Sequence, residues 1–91
     1  MLTRSERPTA DEVLGVVCDA LALVLEVDRS GLGRSSAFSD LEVDSLALVE
    51  VAEIVEEQLE PYAHAPFVIP DRDLESLTTV GQAVDYVMAR M

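Results

Sequence analysis

Asp44-Ser45-Leu46 puts a primary hydroxyl where a helix is expected to begin, with an aspartate in front of it to cap the first turn. Unpaired amides and the positive end of the helix dipole favour a phosphate there, so Ser45 is suited to carry a phosphodiester even on an acidic chain. It is badly placed to be a catalytic nucleophile. His64, the sole histidine, lies in a proline-rich stretch remote from Ser45 and has no recognisable acid partner, which argues against a triad. One histidine and one cysteine far apart lack metal-ligand spacing. Asp40-x-Glu42-x-Asp44 has Val51 where a calcium loop beginning at Asp40 needs its twelfth-position glutamate. Cys18, without a basic neighbour in sequence, reads as a small buried hydrophobe. The chain is not expected to be an enzyme.

The element that presents Ser45 is a helix running from Ser45 to about Glu60, ahead of Pro61. At 100° per residue, Ala47, Leu48, Val51, Ala52, Ile54, Val55 and Leu59 form one broad apolar face, and Glu50, Glu53, Glu56, Glu57 and Glu60 share the opposite one. Leu46 and Val49 project on the acidic side and are expected to be exposed within a turn of Ser45. Glu56 and Glu60 read as a solvated face. Glu50, Glu53 and Glu57, which flank Leu46 and Val49, are the candidates to steer a basic partner.

Around this helix the chain supplies the rest of a bundle. Residues 1–8 read as a flexible lead-in and residues 9–91 as one domain. Thr9 with Glu12 makes a capping box, and Val13, Val16, Val17, Ala20, Leu21, Val24 and Leu25 give a first helix one buried stripe to about Glu26. Residues 27–44, rich in serine and glycine, form a long loop with Leu32, Phe38, Leu41 and Val43 as anchors. Three prolines between Pro61 and Pro70 point to an extended connection. Asp71–Ser76 reads as a short third helix, and Thr79 with Gln82 as a second capping box opening a last helix on Val80, Ala83, Val84 and Val87. The fold class expected is all-α: a four-helix bundle of three longer helices and one short third helix.

Composition narrows the partners. Six arginines, no lysine and eighteen acids give a formal charge of −12 over 91 residues, which repels nucleic acid and anionic lipid and favours basic proteins. Aromatics are only 4%, so Tyr62, Phe67 and Tyr86 read as packing residues rather than base-stacking platforms. A single cysteine rules out an internal disulfide, no run approaches the ~20 apolar residues that span a bilayer, and the N-terminal stretch lacks a secretory segment, so a cytoplasmic monomer is expected.

The words Phe38-Ser-Asp-Leu41-Glu-Val-Asp44-Ser45-Leu46, then Ala-Leu-Val49-Glu50-Val-Ala-Glu53, Ile69-Pro70-Asp71 and Leu77-Thr-Thr79-Val80-Gly-Gln82-Ala83-Val-Asp-Tyr86-Val87, resemble the acyl carrier protein family over residues 10 to 88. The resemblance implies that a phosphopantetheinyl transferase moves 4′-phosphopantetheine from coenzyme A onto Ser45, with Asp44 as part of the flanking motif. The arm's thiol would then carry acyl groups as thioesters. It implies partners such as a ketosynthase, an acyltransferase and other assembly-line enzymes with basic docking patches, for which Leu46, Val49, Glu50, Glu53 and Glu57, placed by the wheel on the side of the helix that the core does not use, are the candidate partner-binding set. A free-standing component of fatty-acid or polyketide-type biosynthesis is expected, with a peptidyl carrier protein and an unmodified acidic helical adaptor as the alternatives. The chain departs from the family in three places. Glu42 stands where glycine is usual, so the turn before Asp44 has either an ordinary backbone angle or some strain. Glu53 replaces a residue often apolar. The Pro61–Pro70 segment is longer than usual.

Overall fold

The computed structural model describes residues 8–62 and 68–90, and within them four α-helices: α1 (Ala10–Leu25), α2 (Ser45–Leu59), α3 (Asp71–Ser76) and α4 (Val80–Arg90). Short 3₁₀ turns at Arg29–Gly31 and Glu60–Tyr62 complete the order. This is the expected all-α arrangement with one short third helix. Met1 to Arg7, His64 and Phe67 lie outside the described residues, as does the middle of the Pro61–Pro70 connection, while Pro8 is buried.

Valine builds the core. Val13, Val17 and Leu21 of α1 meet Val51, Val55 and Leu59 of α2 and Val80, Val84 and Val87 of α4, all buried. Each set repeats at three or four residues, so each helix turns one stripe inward. Phe38, Ile69 and Leu74 seal the end of the bundle near α3. Cys18 is buried in the same core, where loss of solvation pushes its thiol pKa up and leaves it unreactive.

The helix starts follow the sequence with one change. At α1 the capping box is complete: Glu12 N–H donates to Thr9 Oγ1 at 3.2 Å, and Thr9 N–H donates to Glu12 Oε1 at 2.9 Å. At α4, Gln82 N–H donates to Thr79 Oγ1 at 3.1 Å, but the Gln82 side chain accepts from the Thr78 amide at 2.8 Å instead of closing the box on Thr79. The Thr79 segment is engaged elsewhere, in an isolated antiparallel bridge with Ala37. α1 ends on Glu26, which takes the left-handed conformation at φ 55°. Pro61 does not stop α2 abruptly, since Glu60–Tyr62 continues as a 3₁₀ turn.

The long loop lies against the start of α4 through main-chain groups. Phe38 N–H donates to Thr78 O at 2.9 Å, Val80 N–H to Ser36 O at 3.0 Å and Gly81 N–H to Arg34 O at 2.8 Å. Loop carbonyls thus satisfy amides at the start of α4 that have no partner inside the helix. A Cβ built on Gly81 would sit 3.0 Å from the Arg34 carbonyl oxygen, so any larger residue would press the loop away from α4. Arg34 also bonds Asp85 at 2.8 Å.

Candidate functional site

The loop's last turn delivers Ser45. Leu41 N–H and Asp40 N–H both donate to Ala37 O, Glu42 N–H donates to Ser39 O at 3.2 Å, and Val43 N–H returns to Phe38 O at 3.0 Å. Phe38 is buried beneath this coil and anchors it. The coil closes because Glu42 adopts φ 57°, the left-handed region that glycine enters freely and other residues enter at a cost. Of the two possibilities the sequence left open at Glu42, the strained one is observed.

Asp44 then caps α2: its carboxylate accepts from Ala47 N–H at 2.8 Å, and its carbonyl accepts from Leu48 N–H at 2.9 Å. Ser45 is the first helical residue and is exposed. Its hydroxyl therefore faces solvent at the positive end of a 15-residue helix.

Along α2, Leu46 is 68% exposed, and Glu50, Glu53 and Glu57 are exposed. Val49 is not: it is half-buried against the core, contrary to expectation. Glu56 departs further, since its carboxylate is half-buried and accepts from Ile69 N–H at 2.6 Å. The two differences have one cause. α3 and the chain leading into it pack on the flank of α2 that carries Val49 and Glu56, widening the buried face beyond what a wheel for an isolated helix shows.

Between that flank and α3 lies an open groove of about 330 Å³, lined by Ser45 itself. Its floor is Phe38, Val43, Leu48, Val49, Leu74 and Leu77; Asp44, Asp71 and Glu75 stand at its polar side. A second, smaller and wholly apolar pocket of about 20 Å³ shares Phe38, Leu48, Leu74 and Leu77 with it and reaches Val17 of α1 and Val87 of α4.

α3 is held to α4 by a cluster that periodicity did not reveal. Tyr86 donates its hydroxyl to Asp73 Oδ2 at 2.5 Å, and Arg90 reaches the same oxygen at 3.2 Å while stacking 4.3 Å over the Tyr86 ring. The Tyr86 hydrogen bond and the Arg90 charge hold the Asp73 carboxyl below the usual carboxylate range. Burial, then the bond to Asp73, push the Tyr86 phenol up.

Geometry defines a class: a small helical bundle that offers one serine hydroxyl at a capped helix start, beside a shallow apolar groove and above an acidic face. A family described as phosphopantetheine attachment site matches residues 15–87. The chain is 39% identical over 79 residues to an acyl carrier protein of Rubrobacter xylanophilus, covering 86% of this chain and 90% of the relative. It is 35% identical over 78 residues to one from Acidothermus cellulolyticus, covering 85% and 86%. With one from Cyanidioschyzon merolae it shares 34% over 85 residues, covering 92% and 82%. The chain belongs to the acyl carrier protein family, whose prosthetic group is 4′-phosphopantetheine.

Proposed function

We propose that Ser45 carries the 4′-phosphopantetheine arm and that the chain is a non-catalytic carrier of acyl thioesters in fatty-acid or polyketide-type biosynthesis. The observation that supports this most is the exposed Ser45 hydroxyl at the Asp44-capped start of α2. A transferase must bring coenzyme A's pyrophosphate to this hydroxyl, and a helix N-terminus suits the phosphodiester left behind. The arm compensates for what the fold lacks, because a groove open to solvent cannot enclose a reaction.

The docking face is Leu46 with Glu50, Glu53 and Glu57, and Val49 at its edge. Carboxylates steer a basic transferase or synthase, and Leu46 supplies apolar contact after encounter. A −12 chain of this size fits basic enzyme partners in the cytoplasm and disfavours nucleic acid. No helix among the described residues is long and apolar enough to cross a membrane. Incubation with coenzyme A and a phosphopantetheinyl transferase, read by intact mass, tests the assignment. The wild type is expected to gain one phosphopantetheine, and Ser45→Ala, folded as judged by circular dichroism, to gain none. A mass gain on Ser45→Ala would sink it.

A further inference from the structure

We infer that a groove between α1 and α2 is a second docking surface, used independently of Ser45, and that its occupant is a basic amphipathic helix of a partner protein. The groove holds about 270 Å³, is lined by Val16, Asp19, Ala20, Leu23, Ile54 and Gln58, and shares no residue with the one beside Ser45. Ala20 is buried and too short to fill the space between the two packed helices, so it makes the floor. Val16 and Ile54 are half-buried walls, and Leu23, 69% exposed, stands at the edge. A lone exposed leucine is ordinary; one beside an apolar groove offers its contact area to an occupant. From Val16 to Leu23 is about 10 Å along α1, two turns of a helix laid in the groove.

Charge decides the occupant. On α1 the groove residues lie at helical spacing between Glu12 and Glu26, and on α2 Ile54 lies between Glu50 and Glu57. None of these four glutamates enters an ion pair among the described residues. The Glu12 carboxyl is held below its usual range by its hydrogen bonds to Thr9, so it is ionised at neutral pH. Asp19 differs, because Arg29 pairs with it and cancels its charge. Neither α1 nor α2 contains a basic residue. Leu23 is in the last turn of α1 and Gln58 in that of α2, so the negative ends of both helix dipoles border the groove. The positive starts lie about 9 Å before Val16 and about 14 Å before Ile54, beyond the single turn over which that charge acts. A second copy would bring another −12, and nucleic acid or anionic lipid the same sign, so all three are repelled. A helix with apolar residues at three and four spacing, bordered by lysine or arginine, meets both the floor and its surroundings.

The probe is a synthetic peptide of about 18 residues of leucine, alanine and lysine, its leucines on one helical face, long enough to form a helix. It is compared with a scrambled peptide of the same composition and with one carrying glutamate for lysine. Binding to the full chain is followed by amide and methyl NMR shifts. These are expected to centre on Val16, Ala20, Leu23, Ile54 and Gln58, with the scrambled peptide weaker by about fivefold or more and the acidic one not binding. Leu23→Gln should weaken binding roughly tenfold, and Leu46→Gln, matched to it at 68% exposure, by less than about twofold. Both side chains are exposed, so the variants keep the fold, as circular dichroism checks. Ser45→Ala should bind the peptide as the wild type does, so the docking surface and the attachment site are tested separately. Shifts centred on Leu46 or spread over the whole acidic surface would overturn the proposal. So would a scrambled peptide that binds as tightly, or Leu46→Gln costing as much as Leu23→Gln. Groove signals that move with protein concentration in the absence of peptide would give the groove to a second copy. If they move instead in the double variant Arg4→Ser, Arg7→Ser, the occupant is the chain's own first residues. Either result overturns the assignment to a partner's helix.

Discussion

The chain before α2 is tied to the start of α4 mainly by main-chain groups of Arg34, Ser36 and Phe38, with one exposed ion pair from Arg34 to Asp85 beside them, whereas the chain after α2 is tied by two carboxylates, Glu56 to the Ile69 amide and Asp73 to Tyr86 and Arg90. Peptide groups do not titrate near neutral pH and cannot be screened away. A carboxylate's charge is screened by salt and removed by acid. Ser45 thus has a rigid side, through which its turn is anchored on α4, and a side that answers to solvent, where α3 forms the far wall of its groove.

The largest effect should come from crowding the main-chain ties. Gly81→Val places new atoms against the Arg34 carbonyl, already 3.0 Å from a built Cβ, and should cost about 2–3 kcal/mol. That corresponds to a fall of roughly 10–20 °C in Tm for a domain of this size. A Tm within a few degrees of wild type would break the comparison, because the loop would then yield as easily as the carboxylate side.

Glu56→Ala should cost less, about 1–2 kcal/mol in urea unfolding, by leaving the Ile69 amide unsatisfied in a half-buried setting. Glu56→Gln keeps an acceptor and should recover most of that loss. Equal losses in the two variants would show that charge rather than the hydrogen bond holds the second connection.

Glu42→Gly is expected to stabilise by about 0.5–1 kcal/mol, because glycine meets no Cβ penalty at φ 57° and gives back part of the gain as unfolded-chain entropy. Urea unfolding decides the sign. A loss would mean that the Glu42 side chain contributes more than its backbone angle costs, and that the rigid side stores no strain.

What the sequence made legible follows the same division. Helices α1, α2 and α4 were readable because valine and leucine recur at helical spacing and Thr9, Asp44 and Thr79 are short polar caps: signals confined to a few neighbouring residues. The place of Ser45 at the start of α2 was readable for the same reason. Val49 and Glu56 were misread because their surroundings come from α3, and Glu56 meets an amide 13 residues away across a connection whose path local pattern does not set. The Asp73, Tyr86 and Arg90 cluster has a faint local trace, since Tyr86 and Arg90 stand four apart, but nothing in the sequence points their shared partner out. Main-chain ties leave almost no trace; Gly81 at the start of a helix was the one available sign.

The smallest effect expected is also the one that separates the two sides most directly. Asp73 has its pKa depressed in the folded chain, mainly by the Tyr86 hydroxyl, so the stability it contributes is present above the ordinary carboxylate range and is lost as pH falls from about 4 downwards. Tyr86 has its pKa raised, so its contribution is present below about pH 10 and is lost as pH rises through the folded value. Tyr86→Phe removes the shared hydrogen bond, the phenol with its own shift, and the largest cause of the Asp73 shift, while Arg90 and Arg72 remain. The stability difference between wild type and Tyr86→Phe should therefore be widest between about pH 5 and pH 9 and shrink on either side. Net charge changes almost identically in the two proteins below pH 9, so the subtraction cancels the relief of self-repulsion that acid brings to a −12 chain. Gly81→Val, made in an Asp85→Asn background so that the Arg34 ion pair is already gone, serves as the counterpart, because its contact is then chiefly with a peptide carbonyl and its difference from that background should stay level over the same acid range. A Tyr86→Phe difference that is equally level from pH 7 to pH 3 would show that the phenol bond to Asp73 does not fasten α3, and the division between a titrating and a non-titrating side of Ser45 would fail.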